Sequence, residues 1–103
     1  MARDQQKKDA LKSELPDIMK AFENLYQSVM SDGALSRNTK ELINVGISVA
    51  LRCEPCIRHH VQQAMKMGLA RDEILEAAAV AMLMGGGPSV AYTRKYVLDE
   101  LDA

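Results

Sequence analysis

The segment Ala77-Ala-Ala-Val-Ala-Met-Leu-Met-Gly-Gly-Gly-Pro88 constrains the fold of this 103-residue chain more than any other stretch. At helical spacing its first part, up to Met84, is apolar nearly all round, and such a helix is buried on several sides. It is shorter than the about twenty residues that span a bilayer. Pro88 suits the first turn of a following helix, because its missing N–H would be unpaired there. We therefore expect a buried helix, part of whose cover comes from a second subunit.

Apolar residues on both sides of this segment also recur at helical spacing, and no segment has the period of two that marks a half-buried strand. Ser36 is a suitable N-cap and Gly68 a suitable C-terminal stop. The predicted fold class is all-α, with about five helices in a single small domain, residues 15–103, preceded by a polar lead-in, residues 1–14. The predicted helices run from Pro16 to about Met30, Ser36 to about Arg52, Cys53–Pro55 to Lys66 or Met67, Asp72 to Met84, and Pro88 to Leu101.

The composition narrows the class of function. Apolar residues make up 48% of the chain, which is enough for a packed core. Thirteen basic and fourteen acidic residues give a net charge of -1, which argues against nucleic acid or an anionic membrane as a partner. Residues 1–14 are polar and lack the apolar core of a secretory signal. We therefore expect a cytoplasmic protein.

The segment Cys53-Glu-Pro-Cys56-Ile-Arg-His-His60 carries the chemistry. On a helix, Cys53, Cys56 and His60 share one stripe, while His59 lies off it. A helix N-terminus favours a thiolate, which is the nucleophilic form of cysteine. His60 can exchange a proton with Cys56, and the second cysteine can capture an oxidised intermediate. In a reducing cytosol such a close pair is more often catalytic or metal-binding than structural.

Other interpretations of these residues stay open on spacing alone. The cysteines could be inert core thiols, or could hold zinc together with His60, with or without His59. Glu41 lies on the preceding predicted helix, but about 7 Å separates it from His60 along an antiparallel pair, so a solvated glutamate remains the simpler interpretation. Helix position favours Cys53 as the attacking thiol, whereas the neighbouring His60 favours Cys56.

Three segments together resemble the carboxymuconolactone decarboxylase-like superfamily, and within it the branch of alkyl hydroperoxidase D. The similarity covers roughly residues 14–102, and a glutamate followed by CxxC and a histidine four residues later is a specific combination. The segments are Leu35-Ser-Arg-Asn-Thr-Lys-Glu-Leu-Ile43, Val49-Ala-Leu-Arg-Cys-Glu-Pro-Cys-Ile-Arg-His-His60 and Met84-Gly-Gly-Gly-Pro88.

The resemblance implies an all-helical homo-oligomer, a trimer or hexamer, that acts as a thiol-dependent peroxidase or disulfide reductase with an antioxidant role. By position in the family pattern, Cys56 is the nucleophile, Cys53 the resolving thiol, His60 the base, and Glu41 the proton relay through water. The substrate would be a hydroperoxide or a disulfide. A dithiol donor of the lipoyl type would supply electrons, and a peroxiredoxin would be a further partner. No cofactor or metal ligand is assigned.

The chain also departs from the family pattern. Alkyl hydroperoxidase D has a further histidine between the two cysteines, where this chain has Pro55, and this bears on the full relay and on efficiency with peroxide. The chain has a single copy of the motif. One alternative is a lyase of the decarboxylase type, with His60 and Glu41 as acid and base. Another is a non-enzymatic oligomeric module that holds zinc or senses redox state.

Overall fold

The computed structural model describes residues 2–103, and in this range it contains helices and no strand. The all-α prediction is therefore confirmed. The elements are α1 (Ala2–Glu14), α2 (Pro16–Met30), α3 (Arg37–Ala50), α4 (Glu54–Lys66), α5 (Arg71–Gly85), α6 (Gly87–Tyr92), a π-helical turn (Thr93–Val97) and α7 (Leu98–Leu101).

The chain divides into two compact units, and the first ends at Ser31. Its helix α1 has no apolar stripe, whereas α2 is strongly amphipathic and has Pro16 in its first turn, as expected. The Leu15 N–H donates to the Leu11 carbonyl oxygen at 2.8 Å and the Leu15 carbonyl oxygen accepts from the Met19 N–H at 2.9 Å, but Leu15 itself has a φ of -129° and a ψ of 58°, so α1 ends and α2 begins at this residue. The large apolar residues of α2 that remain exposed are Ile18, Phe22, Leu25 and Val29.

The second unit, from Asp32 to Ala103, contains the core that positions the site. Helices α3, α4 and α5 each bury an apolar stripe, and fully burying one such side chain contributes about 1.5–3 kcal/mol. At Gly46 an added Cβ would lie 3.2 Å from the carbonyl oxygen of Ala77, so the glycine lets α3 approach α5 closely. The main core residues are Val45, Val49, Ile57, Val61, Ala64, Ile74, Ala78, Ala81 and Val97.

The predicted helix ends in this unit depend on residues with specific capping roles. The Ser36 hydroxyl accepts a hydrogen bond from the Thr39 N–H at 3.1 Å and caps α3. Gly68, just past the end of α4, has a φ of 83°, a conformation that side chains rarely allow. Gly86 follows α5 with a φ of 64°. The α4 and α5 ends are therefore where the sequence predicts them.

Helix α5 is covered on one face within the single chain. Its inner face is buried through Ile74 and Ala78, but Leu83 and Met84 are 85% and 83% exposed. The expected burial on several sides, with part of the cover from a second subunit, therefore stays a prediction. Within residues 2–103 none of the helices combines the length and the apolar character that crossing a membrane would need.

The last predicted helix is divided. Residues from Gly87 to Leu101 stay helical throughout, but a π-helical turn at Thr93–Val97 separates α6 from α7. The Thr93 hydroxyl donates to the Ser89 carbonyl oxygen at 2.8 Å, one turn earlier. Nothing in the apolar periodicity distinguishes a π turn from an α turn, so the prediction missed this widening.

Candidate active site

A short connection places the cysteines at the start of α4. Helix α3 ends at Ala50, and Arg52 then adopts a φ of 54°, which is uncommon for a residue with a side chain. The Cys53 N–H donates to the Ser48 carbonyl oxygen at 3.2 Å. Cys53 is the N-cap of α4, and Pro55 occupies its first turn. Proline thus fixes where the new helix starts, and the sulfur atoms lie at its positive end.

Cys53 and Cys56 are joined by a disulfide bond, with their Cα atoms 5.2 Å apart. Both residues are partly exposed. The Cys56 N–H also donates to the Cys53 sulfur at 3.3 Å. The structure therefore represents the oxidised form of the pair. In the reduced form, the same N–H and the helix dipole would favour negative charge on the Cys53 sulfur.

One turn further along α4, His60 contacts a buried carboxylate on α3. Its Nδ1 lies 2.9 Å from the Glu41 Oε1, across 19 residues of sequence. Glu41 is 0% exposed, and the His60 side chain is 18% exposed. The second carboxylate oxygen, Oε2, accepts a hydrogen bond from the Asn44 side-chain amide at 3.0 Å. The structure thus brings Glu41 and His60 together, although helix lengths alone suggest an axial offset between them.

The burial, hydrogen bonds and neighbouring charges of Glu41 determine whether its side chain is ionised. Burial raises the pKa of Glu41, but the hydrogen bonds from His60 and Asn44 and the nearby charges of His60 and His59 outweigh burial and hold it below its ordinary value. Glu41 is therefore a carboxylate at neutral pH. Because a carboxylate only accepts hydrogen bonds, we assign to His60 the tautomer that donates from Nδ1 to Glu41, and Nε2 lies outside this hydrogen bond.

The remaining histidine takes no part in that hydrogen bond. His59 is exposed, and its ring meets the edge of the His60 ring with centroids 4.9 Å apart. Among residues 2–103 there is no group of three histidine, cysteine, aspartate or glutamate side chains arranged to hold a metal ion. The zinc alternative would need Cys53, Cys56 and His60 on one ion.

Sequence reasoning missed two residues near the site. Asn44 lies three residues after Glu41 on α3, and that spacing was a usable signal for a contact on the same helix face. Arg58 lies four residues after Glu54 and binds its carboxylate, again at a spacing typical of helical pairs. The longer-range contacts of Arg58 had no such signal.

A groove of about 580 Å³ lies between α3 and α5, apart from the cysteines. Its lining is mainly apolar, with Glu73 and Glu76 among the residues around it. Several of the apolar lining residues are exposed in the single chain, namely Ile43, Ile47, Val80 and Met84.

Comparison with known proteins agrees with this architecture. The family model for the carboxymuconolactone decarboxylase family matches residues 16–99. The chain belongs to the carboxymuconolactone decarboxylase family. The resemblance found in the sequence is therefore confirmed at the level of the family.

Solved structures and a curated relative support the assignment. A family protein from Legionella pneumophila, apo-lpg0406, has a TM-score of 0.91 and 35% identity, over 98% of this chain and 90% of that one. TM1620 from Thermotoga maritima, for which a role in the antioxidative response has been suggested, has a TM-score of 0.82 and 30% identity, over 98% and 86%. Uncharacterized protein 4 in the cox locus of Paracoccus denitrificans is 40% identical, over 80% of this chain and 76% of its own length.

Proposed function

We propose that this family member is a thiol-dependent oxidoreductase that reduces a hydroperoxide or a disulfide by cycling Cys53 and Cys56 between dithiol and disulfide. The observation that carries the proposal is the bonded pair at the start of α4, followed one turn later by His60 on a buried carboxylate. The suggested antioxidative role of the Thermotoga relative points to the same class of activity. A cytoplasmic location would supply the reducing surroundings that such a cycle needs.

In the proposed peroxidase cycle, Cys56 is the nucleophile and His60 Nε2 takes its proton. The thiolate attacks the terminal peroxide oxygen, the O–O bond breaks, and the departing alkoxide receives that proton to become an alcohol. Cys56 is now a sulfenic acid, and the Cys53 thiol condenses with it to form the disulfide and release water. One hydroperoxide and two thiols thus give one alcohol, one water and one disulfide, with two electrons leaving the sulfurs.

Glu41 has a supporting role in this cycle. Its carboxylate holds the His60 ring by Nδ1 and stabilises the imidazolium formed when Nε2 gains a proton. An external dithiol, of the lipoyl type, would reduce the disulfide by exchange and become a disulfide itself. In place of a hydroperoxide, a peroxiredoxin disulfide would accept the two electrons of the reduced cysteine pair.

We also propose that the working form is a homo-oligomer, a trimer or hexamer. The support is the apolar surface of the second unit, where Leu83 and Met84 are more than four-fifths exposed beside the α3–α5 groove. Exposed apolar patches of this kind are typical of protein interfaces. Another copy of the chain would cover this surface.

The test of the redox proposal uses intact mass and free-thiol counting on reduced protein, before and after one equivalent of tert-butyl hydroperoxide. The wild type should lose both thiols and two hydrogens. With Cys53→Ser, a sulfenic acid should be trapped on Cys56, and Cys56→Ser should lose turnover. If both thiols of the wild type survive peroxide and disulfide alike, the dithiol mechanism is wrong.

The same variants separate the lyase alternative, which would use the Glu41–His60 pair and leave the cysteines as bystanders. The double variant with serine at both cysteines should be inactive under our proposal. Activity on a carboxymuconolactone in that double variant, lost on His60→Gln, would favour the lyase instead.

A further inference from the structure

A second cluster of charged side chains joins the cysteine helix to the C-terminal helix, and Arg58 lies at its centre. Its Nε donates to the Glu54 Oε2 at 3.0 Å. Its Nη1 donates to the Glu100 Oε1 at 2.7 Å and to the Asp99 Oδ2 at 3.1 Å. One guanidinium therefore binds three carboxylates, one on α4 and two on α7.

The inner end of this cluster is well fixed. The Glu100 side chain is only 11% exposed, and its other oxygen accepts a hydrogen bond from the Gln62 amide at 2.8 Å. The Arg58 guanidinium also lies 5.3 Å from the centre of the Tyr96 ring. Hydrogen bonds to Glu100, then to Glu54 and Asp99, raise the pKa of Arg58 above its already high value, so it is a permanent cation.

One carboxylate of the cluster, that of Glu54, belongs to the segment that carries the two cysteines. Glu54 stands between Cys53 and Cys56 in the sequence and is the first residue of α4. A carboxylate beside a thiol opposes its ionisation and raises its pKa. Arg58 counters that charge at 3.0 Å and ties the carboxylate to the side chain one turn along the helix.

We propose that Arg58 is a positioning residue for the cysteine pair, holding the Glu54 carboxylate against the C-terminal helix and offsetting the negative charge that Glu54 brings into the cysteine motif. The inference deepens the proposed function and rests on it. The Arg58 cluster is separate from the Glu41–His60 pair, and under this proposal it affects the ionisation of the thiol.

The other ionisable groups near the cysteine pair either contact residues outside the pair or are exposed to solvent. His60, on α4, lies one turn after Cys56 and is engaged by Glu41 of α3. Arg52, in the connection before Cys53, is exposed to solvent. Asp99 and Glu100 of α7 both bind Arg58 itself. Among these groups, Glu54 is the one that stands between the two cysteines in the sequence.

The experiment compares Arg58→Gln with Arg71→Gln. Arg71 also ties the first turn of a helix, α5, to the C-terminal residues, since its Nη1 lies 2.6 Å from the Asp102 Oδ1, but it has no link to the cysteine segment. Each reduced protein is alkylated with iodoacetamide across a pH series, and each cysteine is followed separately by mass spectrometry. Thermal unfolding of every variant is recorded alongside.

We expect Arg58→Gln to raise the pKa of the reactive thiol, so that alkylation at neutral pH slows by about threefold. Arg71→Gln should leave the profile unchanged. Glu54→Gln should shift the thiol pKa in the opposite direction, and the double variant Glu54→Gln/Arg58→Gln should return toward the wild-type profile. Should Arg58→Gln fail to fold, Glu54→Gln and Arg58→Lys, which keeps the charge, still test the proposal.

An unchanged alkylation profile in Arg58→Gln, or equal shifts in Arg58→Gln and Arg71→Gln, would overturn the proposal and leave Arg58 a purely structural residue. The same holds if Glu54→Gln does not lower the thiol pKa. The alkylation assay contains no peroxide and no electron donor. If the wild-type thiols react with neither tert-butyl hydroperoxide nor a disulfide, that result overturns the proposed function independently of this one.

Discussion

The two sides of α4 carry two ionic contacts of opposite character. Toward α3, His60 binds Glu41, which is 0% exposed and has one further partner in Asn44. On the side of α4 that faces α7, the Arg58 side chain is 32% exposed and binds Glu54 of the same helix, which is 48% exposed. We expect burial, rather than the number of contacts, to decide how much stability each side loses when a partner is removed. A buried carboxylate has no water to replace a lost partner, whereas exposed groups do.

The largest effect should follow loss of the buried carboxylate. Glu41→Ala leaves His60 and Asn44 without their acceptor and opens a cavity, so we expect a loss of about 3 kcal/mol in the free energy of unfolding. Urea unfolding at neutral pH measures it. Glu54→Ala is the matched control on the exposed side and should change stability by less than about 0.5 kcal/mol. Equal losses in the two variants would contradict the comparison.

The buried side should also show in the pH dependence of stability. Because the pKa of Glu41 lies below 4.5 in the folded chain, the unfolded chain binds more protons there, and stability rises with pH. The contribution is complete above the unfolded pKa and is lost as pH falls below about 4.5 through the folded value. Glu41→Gln should flatten this part of the profile, as measured by urea unfolding between neutral and acid pH. A Glu41→Gln profile parallel to the wild type would show that other carboxylates cause the decline.

The sequence alone predicts features that depend on one residue and its own backbone, but not contacts between helices. Helix ends at Ser36, Pro55 and Gly68 were predictable because each residue acts on its own backbone. The contact of Glu41 with His60 was not, because it depends on the level and crossing of two helices, and only the family resemblance pointed to it. The roles of these residues remain predictions.

The buried face of α5 and the contacts of α7 could not be predicted from the sequence either, because they also depend on how the helices pack. A segment that is apolar nearly all round, like Ala77 to Met84, has no periodicity from which to choose its buried face. The Arg58 contacts with Asp99 and Glu100 span 41 and 42 residues. Only the packed fold places such partners side by side.

A smaller effect is expected where the buried carboxylate loses one donor but keeps its charge. Asn44→Ala removes the hydrogen bond to the Glu41 Oε2, and we expect a loss of about 1 kcal/mol in unfolding free energy. Asn44→Asp replaces the donor with a second negative charge and should raise the pKa of Glu41 toward its unfolded value, so that less stability is lost as pH falls below about 4.5. If Asn44→Asp leaves that loss unchanged, the amide does not help to hold Glu41 ionised.

The smallest effect on the stability of the single chain should come from substitution of its most exposed apolar residue. Leu83 is 85% exposed, so Leu83→Lys should change the stability of the single chain by less than about 0.5 kcal/mol. If another copy covers this surface, the variant should nonetheless dissociate, because a charge would then be buried without a partner. Light scattering after size-exclusion chromatography measures the mass of each form. Ser13→Lys, on the polar helix α1, adds the same charge and should keep the wild-type mass; an unchanged mass in Leu83→Lys as well would place the subunit interface elsewhere.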